Sequence, residues 1–160
     1  MSATNSELPV ADVSTADASV TPATQPPTAS SNEIAALPQG ELTLQTVAMP
    51  ADTNWSGDVF GGWLLSQMDL AGAVMARRRA MGRVVTIALD NMVFHVAVKV
   101  GHVIACHCRL QKIGRTSLQI FVEVWEVHDS LKPPVKVTEG LFTYVAIDEF
   151  GNKRLVPVIE

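Results

Sequence analysis

One segment of this chain, residues 63–76, constrains the fold more than any other because it predicts a helix with almost no polar side. Its sequence, WLLSQMDLAGAVMA, places Leu64, Met68 and Ala71 on one helical face. Most of the other positions are apolar or small, and a helix that is apolar nearly all round is a buried one. Three arginines and Gly82 follow, as is typical of a helix C-terminus. The rest of the chain must therefore cover this helix on most of its sides.

The segments around the helix predict that an antiparallel sheet forms this cover. Apolar and polar residues alternate over 41–48, as in a half-buried strand. After the helix, the same period of two runs through four longer segments, 83–98, 102–113, 115–127 and 135–147. One strand, one long helix and four strands in antiparallel succession predict an α+β fold, in which a curved sheet of about five strands wraps the buried helix.

The first 38 residues differ in composition from the remainder. They are rich in Ser, Thr, Ala and Pro and contain no Lys, Arg or aromatic residue. Such a sequence cannot bury enough apolar surface to order itself, so we expect a disordered extension over 1–38 and a folded domain over 39–160. No positively charged start precedes an apolar run, so we do not expect a secretory signal.

The charge balance argues against nucleic acid and membranes as partners. Four of the 16 acidic residues lie in the extension, so the folded part carries 12 acidic and 12 basic residues. Its net charge is therefore near zero, and it lacks the positive electrostatic field that attracts nucleic acid. No uncharged apolar run reaches the roughly 18 residues of a membrane span. Two cysteines two positions apart, Cys106 and Cys108, do not make a disulfide framework, which favours a reducing cytoplasm.

Asp69 is the single charged residue between Asp58 and Arg77, in the middle of the predicted helix. A buried carboxylate is costly unless it has hydrogen-bond partners. Removed from water, a carboxylate is a stronger base, which suits general base catalysis or nucleophilic attack. The alternative is a structural carboxylate tied to a neighbouring backbone or hydroxyl group.

The sequence FGG opens the predicted helix and offers hydrogen-bond donors to an oxygen that becomes negative. The first turn of a helix has unpaired N–H groups, its dipole favours negative charge, and glycine lets a substrate approach the backbone closely. We therefore predict that the amides of Gly61 and Gly62, mainly the second, contact the substrate. The alternative is that both glycines only allow the helix to pack tightly against a strand.

The spacing of Gly62 and Asp69 predicts a second subunit. They lie seven residues apart, on nearly the same stripe of the helix. At a rise of 1.5 Å per residue, they are about 10 Å apart along its axis. One carbonyl group cannot touch both within one helix. If both act on one substrate, the second group must come from a partner whose helix runs antiparallel, which predicts a homodimer with sites at its interface.

Two polar residues before the helix are further candidates. Asp58 precedes the helix by about one turn, where a carboxylate commonly caps a helix. Asn54 is either a turn-forming side chain or a ligand contact. Neither position alone decides between the structural and the functional role.

A further candidate is the segment QKIGRTS, at the turn between two predicted strands. Cations, hydroxyls and backbone amides around a tight turn suit phosphate groups, although an ordinary solvated hairpin has the same composition. The residues concerned are Lys112, Gly114, Arg115, Thr116 and Ser117.

The segment HVIACHCRL raises the question of a metal. In a strand, His102, Cys106 and Cys108 share one face. Zinc requires four ligands, or three and a water, and no second ligand pair occurs elsewhere in the sequence. Buried cysteines that act as small apolar side chains are far more common, so no metal site is predicted.

Residues 41–160 resemble the hotdog-fold acyl-CoA thioesterases of the YciA-like family. The resemblance rests on the segments MPADTNWSGDVFGGWLLSQMD, GRVVTIAL, FHVAVKVG, KIGRTS, VEVW and FTYVAIDEFGNKR. Two departures occur at one turn, where the family usually has Pro and Asp and this chain has Ala97 and His102.

The resemblance implies a cytoplasmic acyl-CoA thioester hydrolase that needs no cofactor, coenzyme A being part of its substrate and product. It implies that Asp69 is the catalytic carboxylate and that the Gly62 amide of the other subunit polarises the thioester carbonyl. Asp58 would point into the site and orient the water, and the segment 112–117 would bind coenzyme A. Hotdog dimers also imply a hexamer, built as a trimer of dimers. The candidates for lining an acyl tunnel are Trp63, Leu65 and Met68.

Two other functions are compatible with the same fold. A non-catalytic acyl-CoA sensor would bind without turnover, but such sensors commonly carry a DNA-binding region, and the extension has no basic residue for that role. A dehydratase would need a catalytic histidine with an acid, and none of the four histidines lies near the helix motif in the sequence.

Overall fold

Five strands form one antiparallel sheet around a single long helix in the computed structural model, which describes residues 37–127 and 132–158. The elements in chain order are β1 (Glu41–Val47), a 3-10 turn (Pro50–Asp52), α1 (Gly61–Ala80), β2 (Val84–Phe94), β3 (Val103–Ile113), β4 (Ser117–Val127) and β5 (Val135–Ala146). The predicted α+β arrangement is confirmed. The extension predicted over 1–38 lies outside the described residues except for its last two.

Helix α1 packs one face into the core against the sheet. Leu64, Met68 and Ala71 are buried there, as the apolar spacing predicted. The outward flank is not covered by the described residues, since Leu70 is 54% and Val74 46% exposed. The burial on nearly all sides expected from the sequence is therefore incomplete within the described part of the chain. Among the described residues, no helix is long and apolar enough to cross a bilayer.

The C-terminal end of α1 differs slightly from the prediction. Met81, not Gly82, is the left-handed residue that ends the helix, with φ of 50°. The Arg154 guanidinium donates a hydrogen bond of 2.8 Å to the Ala80 carbonyl. One of the carbonyls left unpaired at the helix end is thereby satisfied.

The strand order across the sheet is β1-β3-β4-β5-β2, and every neighbouring pair is antiparallel. The predicted succession holds for β3, β4 and β5, but β2 and β3 are not neighbours. Their connection, residues 95–102, runs past the start of α1, where the Val59 N–H donates to the Val98 carbonyl at 2.9 Å. Strands β1 and β2 are therefore the two edges of the sheet.

An ionic cluster joins β4 and β5 on the face of the sheet that points away from α1. Lys136 Nζ donates to Glu123 Oε1 at 2.6 Å and to Glu139 Oε2 at 2.8 Å. The Gln39 N–H donates to the other Glu123 oxygen at 2.9 Å. Burial opposes the ionisation of Glu123, but the hydrogen bonds outweigh it and lower the pKa of Glu123. Lys136 thus separates two carboxylates that face each other across the strands.

Candidate active site

The Asp69 carboxylate lies on the flank of α1, half-buried, with its two oxygens in different surroundings. Thr86 Oγ1 donates to Oδ1 at 2.6 Å, and the Tyr144 hydroxyl lies 3.3 Å from the same oxygen. The Tyr144 hydroxyl is also 3.1 Å from the Asp69 carbonyl. No described residue donates to Oδ2. The carboxylate is thus tied to hydroxyl groups through one oxygen, as the structural alternative expected, while its other oxygen stays available.

The sheet positions both hydroxyl groups. Thr86 of β2 and Tyr144 of β5 are direct cross-strand partners, and both side chains point toward α1. Tyr144 is fully buried. Burial and the neighbouring Asp69 carboxylate raise the pKa of Tyr144 well above its usual value. Its hydroxyl therefore remains a protonated hydrogen-bond donor.

Gly72, one turn after Asp69 on the helix, makes room for the tyrosine. A Cβ atom at this position would lie 2.2 Å from the Tyr144 hydroxyl oxygen and 3.0 Å from its Cζ. Any larger residue would displace the ring or the helix. Helix, glycine and tyrosine therefore fit together at the level of Asp69.

The start of α1 presents unpaired backbone donors. The N–H groups of Trp63 and Leu64 donate to the Phe60 carbonyl at 3.0 and 3.2 Å. The N–H groups of Gly61 and Gly62 have no acceptor among the described residues. A Cβ atom on Gly62 would meet nothing within 4 Å, whereas one on Gly61 would lie 3.3 Å from the Phe94 ring. Tight packing therefore accounts for the glycine at 61 but not for the glycine at 62.

A cavity of about 350 Å³ adjoins this helix start. Its lining is apolar apart from one histidine and consists of Val59, Gly61, Leu64, Phe94, His95, Val96, Ala97 and Val98. The three residues expected to line an acyl tunnel do not contribute to this cavity. Met68 in particular is fully buried in the core, because it lies on the face of α1 that packs against the sheet.

Asp58 and Asn54 shape the loop before α1. The Asn54 side-chain oxygen accepts hydrogen bonds from the N–H groups of Ser56 at 2.8 Å and Asp58 at 3.2 Å, which is the turn-forming role considered for this residue. Asp58 makes an ion pair with Lys99 in the turn before β3. The N-cap of α1 is Phe60, and no side chain caps it. The capping role considered for Asp58 is therefore wrong.

The predicted phosphate-binding segment forms the turn between β3 and β4. The Gly114 N–H donates to the Ser117 carbonyl at 2.8 Å, and the Ala146 N–H donates to the Thr116 carbonyl at 2.8 Å. Lys112 and Arg115 are exposed, and their side chains make no hydrogen bond or ion pair with another described residue. Two cations are therefore available at this turn.

This turn and the start of α1 lie at opposite ends of the molecule. Leu118, next to the turn, packs with Ala80, Ala146 and Val156 at the last residue of α1. The glycines stand at the first residues of the same 20-residue helix. A helix of that length is about 30 Å long. One chain does not bring the glycine amides and the turn together.

No group of three or more potential metal ligands comes together in the described part of the chain. The cysteines pack in the core, where burial raises the pKa of Cys106 to about 12 and that of Cys108 to about 11. His95 and His102 lie beside glutamates, at 3.6 Å from Glu139 and 2.7 Å from Glu126 respectively. In the described region, no histidine contacts Asp69, as the dehydratase alternative would require.

Thr86, Tyr144 and Lys99 are site contacts that sequence reasoning missed. Tyr144 lies 75 residues and Thr86 17 residues from Asp69 along the chain, so only the folded sheet joins them. The available signal was weak: Tyr144 is the single tyrosine, and Thr86 is a polar residue in an apolar strand.

The chain is similar to known proteins along most of its folded part. The family model described as Thioesterase superfamily matches residues 56–132. The acyl-CoA thioester hydrolase YciA of Salmonella typhimurium is 52% identical over 124 residues, which cover 76% of this chain and 93% of the relative. Its counterpart in Escherichia coli K12 is 50% identical over 125 residues, covering 76% and 95%.

Solved structures give the same result. A hexameric thioesterase from Yersinia pestis matches with a TM-score of 0.73 at 50% identity, covering 77% of this chain and all of that one. A hexameric hotdog-fold thioesterase of Campylobacter jejuni matches with a TM-score of 0.69 at 42% identity, covering 74% and 91%.

Proposed function

This chain belongs to the thioesterase superfamily and is a hotdog-fold acyl-CoA thioester hydrolase, and we propose that Asp69 and Gly62 carry out its reaction. The reaction adds water to a thioester and releases a carboxylic acid and the free thiol of coenzyme A. It requires no cofactor. The observation that carries the proposal is the unpaired Oδ2 of a carboxylate whose Oδ1 is held by Thr86 and Tyr144.

Asp69 Oδ2 supplies the base or the nucleophile. As a base, it takes a proton from the water that attacks the carbonyl carbon. As a nucleophile, it forms an anhydride with the acyl group, and water then hydrolyses that anhydride. In both routes the thiolate of coenzyme A leaves and is protonated.

The Gly62 N–H, with the positive end of the α1 dipole, stabilises the oxygen that becomes negative. This donor is unpaired and open to solvent within one chain. Because Gly62 and Asp69 are about 10 Å apart along one helix, each site takes Gly62 from one protomer and Asp69 from its partner.

The uncovered apolar surface supports this pairing. Leu70 and Val74 on α1 and Ile87 on the edge strand β2 are 54%, 46% and 59% exposed, and they flank Asp69 and Thr86. A second copy with an antiparallel α1 covers such a surface and completes both sites. The hexameric solved relatives support a trimer of these dimers.

Substrate then spans the two protomers. The acyl chain enters the apolar cavity beside Gly61, next to the amide that holds its carbonyl. The phosphates of coenzyme A bind Lys112 and Arg115 of the protomer that supplies Asp69, since this turn lies beyond Asp69 toward the helix end. The cysteines without a disulfide favour the cytoplasm as the site of the reaction.

The test is free-thiol release from acyl-CoAs by wild type and Asp69→Ala. We expect the variant to lose about 100-fold or more in kcat, the range for removal of a catalytic acid or base. Asp90→Ala is the matched control, because Asp90 is an exposed aspartate on β2 without a side-chain partner in the described region. Undiminished activity in Asp69→Ala would remove Asp69 from the mechanism. Tight acyl-CoA binding without turnover by wild type would instead favour the sensor.

A further inference from the structure

We propose that Tyr144 is a positioning residue for Asp69: by holding Oδ1, the Tyr144 hydroxyl group leaves Oδ2 as the reacting oxygen. Because Gly72 has no side chain, it leaves room for this hydroxyl group. This inference rests on the proposed role of Asp69. It assigns a task to two residues that do not touch the substrate.

The geometry restrains the carboxylate on one side only. The Tyr144 hydroxyl is 3.3 Å from Oδ1 and 3.1 Å from the carbonyl oxygen of the same residue, so it contacts both the side chain and the backbone of Asp69. Thr86 donates to the same Oδ1 at 2.6 Å. With its donors gathered on one oxygen, the carboxylate cannot rotate freely, and Oδ2 is directed away from the sheet.

Packing alone does not explain the hydroxyl group. The Tyr144 ring is fully buried and stacks with Phe142 at a centroid distance of 6.2 Å, as a phenylalanine ring would. The hydroxyl oxygen, however, is the atom nearest to a Cβ at position 72. A glycine inside a helix is less stable than an alanine. The helix carries this penalty at the point where the hydroxyl reaches Asp69.

The hydroxyl is also a donor to the carboxylate of the base. Hydrogen bonds to an ionised carboxylate favour its charged form. Burial and Asp69 raise the pKa of Tyr144, so the hydroxyl donates throughout the range in which the enzyme works. Removing it should therefore change the orientation of the base and take away one hydrogen-bond donor to its carboxylate.

The first experiment is Tyr144→Phe, assayed over a range of pH. We expect kcat to fall about tenfold, the effect of one lost hydrogen bond, with KM for acyl-CoA changed less than about twofold. The acid limb of the kcat/KM profile should move to higher pH. Val122→Ala is the control, since it removes core volume on β4 without touching Asp69, and it should leave that limb in place. A wild-type kcat and an unmoved acid limb in Tyr144→Phe would overturn the proposal.

The second experiment is a double-mutant cycle with Gly72→Ala. The added Cβ must displace the hydroxyl, so Gly72→Ala should reproduce the kinetic change of Tyr144→Phe. The double variant should then lose little more activity than either single variant, because both remove one interaction. Losses that simply add would overturn the link between the two residues. If Asp69→Ala itself remains active, the proposed function fails; if only Tyr144→Phe behaves as wild type, this inference alone fails.

Discussion

At the scale of single residues, the two carboxylates of the helix motif differ in what neutralises them. Asp58 is paired with the Lys99 ammonium group, so its charge is balanced within the chain. Asp69 receives hydrogen bonds only from uncharged hydroxyl groups and has no cationic partner among the described residues. A base needs its negative charge, whereas a loop residue does not. The surroundings support the proposed role of Asp69 as the base, and the site role of Asp58 stays a prediction.

Thr86 offers a prediction at this scale. Thr86→Val keeps the shape of the side chain but removes the donor to Asp69 Oδ1, and we expect kcat to fall about tenfold because one hydrogen bond is lost. Thr86→Ser keeps the donor and should retain most of the activity. Steady-state kinetics of both variants check this, with Thr143→Val as the control on the opposite face of the sheet. Equal activity in the valine and serine variants would contradict it.

The sequence was informative about residues that stand out along the chain and uninformative about their partners. Asp69 could be predicted because it is a lone charge in an apolar helix, and Gly61 and Gly62 because they open that helix. Tyr144 could not, because its contact with Asp69 depends on β5 lying beside β2 in the sheet. The substrate contacts of Lys112, Arg115 and their neighbours remain predictions.

At the scale of secondary-structure elements, the start of α1 and the end of β2 together build the cavity proposed for the acyl chain. Phe94, the last residue of β2, lies against Gly61, so its ring forms one wall. Leu64 on α1 and Val98 in the connection also line the cavity. The Phe94 ring therefore occupies space beside Gly61 that a smaller side chain would leave open.

Phe94→Ala should enlarge the cavity and shift the preference toward longer acyl chains. Each further methylene buried contributes about 0.8 kcal/mol, so kcat/KM should rise by severalfold for substrates roughly two to four carbons longer than the wild-type optimum. The measurement is a kcat/KM profile from acetyl-CoA to palmitoyl-CoA. Phe150→Ala, at a phenylalanine that is 81% exposed, should leave the profile unchanged. An unchanged profile in Phe94→Ala would place the acyl chain elsewhere.

The ionic cluster between β4 and β5 predicts a pH dependence of stability. The pKa of Glu123 is lowered in the folded state, so its stabilisation is present above the unfolded pKa and is lost as pH falls through the folded value. Glu123→Gln should reduce the free energy of unfolding at pH 7 by roughly 1.5–3 kcal/mol, as for a hydrogen bond to a charged group.

This difference should shrink as the pH falls below the unfolded glutamate pKa of about 4.3 and disappear once the pH is below the lowered folded-state pKa, where the wild-type carboxylate is also neutral. Denaturant unfolding at a series of pH values measures it. Glu149→Gln, at an exposed glutamate, serves as the control. A difference that is constant with pH would show that the charge of Glu123 does not contribute.

At the scale of the whole molecule, the predicted strands, helix and layers are correct, but the predicted pairing of β2 with β3 is wrong. The period of two identified all five strands, and the apolar helix required a sheet around it. Periodicity does not say which strands are neighbours, and here the connection 95–102 separates β2 from β3. The exposure of Leu70 and Val74 was not predicted for a similar reason. An apolar helix surface indicates that the helix is buried, but it does not say whether the same chain or a second chain buries it.

Leu70→Asp should separate the protomers and abolish activity together. A charge in the middle of the proposed apolar interface would be costly, and each proposed site needs groups from two chains. Light scattering after size exclusion measures the mass, and the thiol-release assay measures the activity of the same sample. Leu37→Asp, at a leucine that is 70% exposed, is the control. A fully active monomer would contradict the composite site.

If each site takes Gly62 from one protomer and Asp69 from its partner, as proposed, the separation of these residues along one helix also has a genetic consequence. When an intact gene and a copy that encodes Ala at position 69 are expressed in the same cell, a mixed dimer still contains one complete site, made from the intact chain's Asp69 and the defective chain's Gly62. The defective chain therefore lowers the total activity in proportion to its share of the protomers and does not inactivate the site that contains the intact chain's Asp69. It should behave as recessive wherever half of the normal flux suffices.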